Sequence, residues 1–357
     1  MLPLPRVHSY DEWSTLEEVI VGRVEHAVVP AWHPTVEATA PRRSHAWLRE
    51  HAGRPFPPEL VRAAALELDG LCEVLGREGV TVARPDPVDW SARAQTPDFG
   101  PVEGLYGAMP RDLLLVVGEE LIEAPMAWRC RQHEVRAYRS LLKAYFQAGA
   151  RWTAAPRPQL SDALYDLSAR DRGYDHSAGA GLLTEHEPVF DAADFVRCGR
   201  DLFGQLSHVT NASGVRWLSR HLGPGYRIHL LPVRDPGAMH IDATFVPLAP
   251  GRALAHPTRL PERPEILGDW ELLRPPPPTV PAHHPLYLSS PWLSMNVLSL
   301  DERRVVVEAE ERPMVDFLRQ RGFEPIPVHF RNFASFGGGF HCATLDVRRR
   351  GPLHSWF

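Results

Sequence analysis

The 357-residue sequence predicts an α/β domain assembled from about five copies of one module set around an axis. Three observations predict it. A strand, tight turn, strand pattern recurs five times. A segment with helical periodicity follows most of these, and one more short strand follows the helix. The spacing is roughly 50 residues in the later copies and longer in the first two, which is the scale of ring and array architectures.

In chain order the strand–turn–strand segments are LEEVIVGRVEHAVV (16–29), DLLLVVGEELIEAP (112–125), DAADFVRCGRDLFGQLS (191–207), DATFVPLAPGRALAHP (242–257) and NVLSLDERRVVVEA (296–309). Each has two apolar runs joined by a turn rich in Gly, Asp, Pro or Arg. Apolar residues at three- and four-residue steps predict helices over 58–78, 127–150, 212–223 and 311–324, with a weaker pattern over 263–275. The short strands GVTVARP, ARWTAAP, YRIHLLP and EPIPVHF complete the modules. The last strand-like stretch, CATLDVRRRG, has no helix after it and is placed to close the ring against the first module. Proline-rich pieces such as RPPPPTVPAHHP read as loops, so the chain is expected to form one domain over 1–357.

Composition excludes several classes. A formal net charge of −5 gives no sign of nucleic-acid or membrane-surface binding. Four scattered cysteines, Cys72, Cys130, Cys198 and Cys342, form no CxxC or paired spacing, against a disulfide framework or structural zinc. The N-terminus has no signal-peptide core and no run is of transmembrane length, so a cytoplasmic protein with reduced thiols is expected. The single lysine, Lys143, lies in an amphipathic helical stretch without a glycine-rich loop, which argues against a P-loop or a Schiff base. No GxGxxG follows a strand.

Residues able to do chemistry recur at one place in the module, where the chain enters a hairpin: Asp112, Asp191, His240 and Asp242 in MHID, Ser289 and Ser290 in LSSPW, and Cys342 after GGGFH. Around an axis these positions would meet at one end. Each also has a plain reading: the aspartates as turn or cap residues, His240 as a hydrogen-bonded core histidine, Cys342 as a buried thiol. His240 and Asp242 share one side of a strand, but no further ligand has metal-site spacing. A thiol, a histidine and two extra carboxylates suit covalent chemistry on a planar cation such as a guanidinium.

FDAADFVRCGRDLF (190–203), MHIDATFVPLAPG (239–251), SSPWLSMNVL (289–298) and GGGFHCATLDVRRRG (337–351) resemble the amidinotransferases, and EWSTLEEVIVGR (12–23) and MPRDLLLVVGEELIEAPMAWR (109–129) extend the resemblance over nearly the whole chain. It implies a five-bladed α/β propeller (pentein) of ββαβ modules. It also implies transfer of the amidino group of L-arginine to an acceptor amine through an amidino-cysteine on Cys342, with release of L-ornithine and no cofactor. Asp191 and His240 then complete a triad with Cys342. Asp112 and Asp242 hold the guanidinium, Arg259 the donor's carboxylate, and Met239, Ser289 and Ser290 line the pocket. His341 is expected to point away from Cys342 and to be structural, and the glycines of GGGFH to let backbone approach the guanidinium.

Glycine-specific members carry asparagine and proline just before MHID, where this chain has Gly237 and Ala238, so a larger amine is considered beside glycine. The aminocyclitol-phosphate members differ at MHID and lack SSPWLSMN. The rival readings are a guanidino hydrolase on the same fold, a non-catalytic sensor of arginine or amines, and a cysteine protease. The sensor is disfavoured by the presence of Cys342, His240 and Asp191, the protease by carboxylates it would not use. Small-molecule substrates, no nucleic acid, no membrane and a homodimer are the expected associations.

Overall fold

A computed structural model describes residues 6–357. The inner strands form where the sequence runs apolar without alternation, because both of their faces are covered. The first module places β1 (Leu16–Val21) beside β2 (Thr81–Ala83). The second has β3 (Leu114–Val117), β4 (Glu120–Glu123) and β5 (Arg151–Ala154). The third has β6 (Phe195–Cys198), β7 (Asp201–Gly204) and β8 (Arg227–Leu230). The fourth has β9 (Phe245–Ala249), β10 (Arg252–Ala255) and β11 (Glu271–Leu273). The fifth has β12 (Leu298–Ser299), β13 (Arg304–Glu308) and β14 (Glu324–Val328). Finally β15 (Thr344–Arg349) pairs antiparallel with β1, completing the first sheet in the order β15-β1-β2.

Every sheet therefore has three strands, an antiparallel inner pair and a parallel outer strand. This is the five-bladed α/β propeller of ββαβ modules. β3, β6 and β7 are buried throughout, whereas β5 and β8 run exposed, half-buried, half-buried, exposed at the rim. Gly118 and Gly199 turn two of the inner hairpins at φ of 61° and 73°, a region that penalises a Cβ.

Module helices cover the outer surface. Pro58–Arg77 starts with a proline in its first turn and buries Ala64, Leu68, Leu71 and Leu75 along one stripe. Ala212–Leu222 is capped by Asn211, whose side chain accepts from the Gly214 amide at 2.8 Å. Arg312–Gln320 buries Met314, Val315 and Leu318. Lys143 sits exposed on the helix Arg139–Gln147, as its amphipathic context implied.

Three expectations need correction. Residues 16–29 are not a hairpin: only β1 is a strand, and its antiparallel partner lies at the other end of the chain. The segment 263–275 is not a helix but a turn of 3-10 helix, Glu265–Leu267, followed by β11. The predicted helix over 127–150 is two 3-10 turns, Arg129–Arg131 and Glu134–Tyr138, then a nine-residue α-helix. Among the described residues no helix is long and apolar enough to cross a membrane.

Charge, not only apolar surface, fills the axis. Glu12 Oε1 accepts from the Arg197 amide and Nε at 3.1 and 2.8 Å, and Glu12 Oε2 from Arg197 Nη2 at 2.9 Å. Asp346 Oδ2 accepts from Arg197 at 2.5 Å and Arg349 at 2.6 Å, and Asp346 also pairs with Arg111. Arg197 reaches the Val116 carbonyl in the second module at 3.0 Å, and Arg349 the Ser299 carbonyl in the fifth at 2.9 Å. All five side chains are at most 4% exposed. Arg348 and Arg350 instead hold Glu17 of β1, so the terminal arginines do secure the closing strand.

A buried charge stripped of its partner costs about 3–5 kcal/mol. Arg197→Leu is therefore expected to lower stability by about that much, read as a fall in the urea midpoint with little change in slope. Burial alone would raise the Glu12 and Asp346 carboxyls, but the arginines hold both below the usual carboxylate range. Their contribution is present above the unfolded carboxylate values and is lost as pH falls below them toward the folded ones.

Candidate active site

One short helical turn precedes the first strand of four modules: Pro110–Leu113, Ala192–Asp194, Ile241–Ala243 and Pro291–Met295. A turn over 340–343 precedes β15. These turns face one end of the axis, and the predicted residues ride on them. Asp112, Asp191, His240, Asp242 and Cys342 are all buried. The cap readings fail for Asp191, whose side chain bonds no helix amide.

His240 is held at φ 59°, a conformation disfavoured for a residue with a Cβ, so its backbone is strained. Its Nε2 donates to Asp191 Oδ2 at 3.0 Å, and its Nδ1 faces Asp112 Oδ1 at 3.6 Å. Burial opposes charge on the ring, but Asp112, Asp191 and Asp194 prevail and raise it to about 10. The resting imidazole is protonated. Arg131, missed in the sequence, binds Asp112 Oδ2 at 2.9 Å and Glu134 at 2.9 Å. Three buried polar atoms here lack partners: Asp112 Oδ1, Asp191 Oδ1 and Arg131 Nη2.

Cys342 lies across from this pair. Its thiol donates to Asp242 Oδ2 at 3.3 Å and accepts from Asn296 Nδ2 at 3.2 Å. Asn296 Oδ1 also accepts from the Cys342 and Gly339 amides, both at 3.1 Å. Burial, then the negative charges of Asp242 and Asp112, pushes the thiol well above its ordinary range. Asp242 itself is lowered despite burial, chiefly by His341.

His341 departs from expectation. Its Nδ1 is 2.7 Å from Asp242 Oδ2 and its Nε2 is 3.3 Å from Glu12 Oε2, so it links the thiol's carboxylate partner to the axial ion network. The glycines depart too. A Cβ at Gly338 would meet Met109 Sδ at 2.5 Å and the Cys342 Cβ at 2.6 Å, and one at Gly339 would meet Asn296 at 2.8 Å. They bring the loop against Asn296 and Met109, and only Gly337 reaches the cavity. Asn296 had a signal: it stands two residues before its strand, as Asp112 and Cys342 do. Arg131 had none beyond its place in MAWRCR.

A cavity of about 720 Å³ opens above the thiol, lined among others by Met239, His240, Asp242, Arg259, Ser289, Ser290 and Cys342. Arg259 Nε pairs with Asp235 at 3.0 Å. The Ser289 hydroxyl donates to the Ala334 carbonyl at 2.6 Å, and Ser290 Oγ accepts from the Trp292 amide, so each has a structural bond as well as a place on the wall. Gly237 lines the cavity, but Ala238 is buried away from it. Cys130 and Cys198 lie in apolar clusters and Cys72 packs beside one, their thiols raised chiefly by burial, in keeping with inert roles.

No family model matches the chain. It is 50% identical over 352 residues to the L-arginine:L-lysine amidinotransferase of Pseudomonas savastanoi pv. phaseolicola, covering 98% of this chain and 96% of that one. The chain belongs to the amidinotransferase family. A solved amidinotransferase of the saxitoxin pathway from Microseira wollei superposes with a TM-score of 0.90 at 50% identity, covering 99% of this chain and 100% of that one. The inosamine-phosphate amidinotransferase of Streptomyces griseus gives 0.89 at 36% identity over 98% and 99%.

In this amidinotransferase, atoms of Asp112, His240 and Cys342 lie within 4.8 Å of one another, close enough for a metal ion. The protonated imidazole and the Arg131 guanidinium already supply positive charge there, and a metal ligand histidine must be neutral. The electrostatics can be checked directly. Asp242→Asn removes a negative neighbour of the thiol, so alkylation of Cys342 by iodoacetamide at fixed pH is expected to speed up, by about tenfold. An unchanged or slower rate would contradict the assigned cause.

Proposed function

We propose that the enzyme moves the amidino group of L-arginine to a primary amine through an amidino-cysteine on Cys342. The observation that carries this reading is a thiol, an imidazolium and the Asp242 carboxylate on the wall of one cavity, with the Asp112 oxygen that accepts no hydrogen bond lining a smaller pocket beside it. A guanidinium is planar and cationic and carries N–H groups in the right number to fill such acceptors.

At rest the thiol is protonated because its neighbours are anionic. Entry of the cationic guanidinium between Asp112 and Asp242 reverses that balance, and the thiol proton leaves to solvent. The thiolate sulfur then bonds to the guanidino carbon. The bond from that carbon to the δ-nitrogen breaks as His240 delivers its proton there, and neutral L-ornithine departs. The amidino-cysteine keeps one positive charge and His240 is left neutral. An acceptor amine attacks the same carbon, His240 takes a proton from the attacking nitrogen, and the carbon–sulfur bond breaks to return the thiolate and imidazolium. As the guanidinium product leaves, the thiolate takes back a proton from solvent, so charge and protons balance over the cycle and no other reactant is needed. Asp191 orients the imidazole, and Asp194, anchored by Ser207, Thr210 and Gln205, lies behind it.

The relative that acts on L-lysine, the cavity volume and the small Gly237 on its wall together favour an acceptor larger than glycine. Arg259 is assigned to the donor's carboxylate, with Met239, Ser289 and Ser290 on the pocket wall.

With L-arginine alone, mass spectrometry is expected to show one amidino adduct, absent in Cys342→Ala; an adduct surviving that change would overturn the nucleophile. Citrulline formed without added amine would instead mark a hydrolase. His240→Ala is expected to lose about 10²–10⁴-fold in turnover. For the first half-reaction the imidazolium is present below about pH 10, so ornithine release should fall as pH rises through that value. Asp191→Asn should move that alkaline limb to lower pH, since it removes a charge that raises the ring.

A further inference from the structure

The cavity is electrically two-sided. Its floor carries Asp242, with Asp112 lining a smaller pocket that shares Met239, Leu288 and Gly337 with it, while its mouth carries Arg42, Arg43, Arg170 and Arg259 against only Glu37 and Asp235. The acids at the mouth are already matched. Glu37 binds Arg49 at 3.1 Å and Arg170 at 2.5 Å, and Asp235 binds Arg259. Arg42 has one protein partner, the Gly173 carbonyl at 3.2 Å, which neutralises nothing. Arg43 forms no hydrogen bond or ion pair among the described residues. Two guanidiniums thus stand at the entrance with their charge uncompensated.

The donor does not account for them. Its guanidinium goes to the acidic floor and its carboxylate to Arg259. A primary amine that must reach Cys342 while part of it remains at the mouth would meet Arg42 and Arg43. Arginine's fork suits carboxylate and phosphate oxygens, whose hydrogen bonds to it are charge-assisted. We infer that Arg42 and Arg43 form an anion subsite for the acceptor, which is a primary amine carrying a carboxylate or phosphate distant from its reactive nitrogen. The inference rests on the transfer reaction proposed above. It adds a specificity site that the donor does not use, on the segment linking the helix Pro34–Thr39 to the helix His45–His51.

The test uses the intact enzyme with L-arginine and four acceptors of equal chain length: an ω-amino carboxylate, its uncharged amide, the plain alkylamine, and the phosphate monoester of the amino alcohol. Ornithine release is read for each. The carboxylate or the phosphate is expected to exceed the neutral amines about tenfold in kcat/KM, and which of the two leads identifies the anion. The advantage should shrink as salt is added, because the arginines are exposed. In the double variant Arg42→Gln/Arg43→Gln the advantage should disappear through a higher KM for the anionic acceptor. KM for L-arginine and the yield of amidino adduct should stay as in the parent.

Equal use of charged and neutral amines by the parent would overturn the subsite. So would a double variant that keeps the preference, or one in which adduct formation falls along with it. If the parent forms no adduct at all, it is the transfer reading that fails, a result separate from these.

Discussion

The ring closes around a knot of buried charge. Glu12 and Asp346 lie among Arg111, Arg197 and Arg349, and the bonds of these residues reach strands or strand-leading turns of every module once His341 and Asp242 are included. An apolar plug would fill the same space by volume alone. Paired guanidiniums and carboxylates have directional requirements, so each module must sit at one angle to satisfy them. The closure is also covalently remote: β15 meets β1 across almost the whole chain, and strand hydrogen bonds, ion pairs and the packing of Ile20 with Leu345 and Val347 hold the seam.

That knot is continuous with the site. Glu12 holds one nitrogen of His341, Asp242 holds the other, and the same Asp242 oxygen receives the thiol of Cys342. The thiol, its carboxylate partner and His341 are therefore tied by hydrogen bonds to the buried ion network. Asn296 performs a similar service from the fifth module, binding both the sulfur and the amide of Cys342. The glycine run makes this possible, because a side chain at Gly338 or Gly339 would push the loop off Asn296 and Met109.

Much of this was legible in the sequence, for physical reasons that can be named. Inner strands such as Leu114–Val117 and Phe245–Ala249 are continuous apolar runs because both faces are covered, and their turns carry Gly118, Gly199 and Gly251. The fourth module was misread where Glu271–Leu273 follows a 3-10 turn, since a short apolar run fits helix and strand periods equally well. The hairpin expected over 16–29 failed because pairing with a strand more than 300 residues away leaves no local signal. In the site, Cys342, His240, Asp112, Asp191 and Asp242 were singled out by their recurrent position, but the roles expected of them came from the family resemblance. The orientation expected of His341 was wrong because alternation along an extended strand was assumed where the chain makes a turn.

What the sequence had no means of showing is the protonation balance, and it is this that decides how the residues act. A Cys-His pair is commonly drawn as thiolate and imidazolium formed by proton transfer between the two. Here the imidazolium is produced by Asp112, Asp191 and Asp194, while the same acidic surroundings oppose a thiolate at Cys342. Carboxylates of the same site thus set both protonation states, and the free enzyme keeps the Cys342 thiol protonated. In the reaction proposed above, the group that lifts this mask is the guanidinium to be cleaved, bound between Asp112 and Asp242. A positively charged substrate then both occupies the site and switches on the sulfur. A neutral electrophile of similar shape would find a protonated thiol facing two carboxylates.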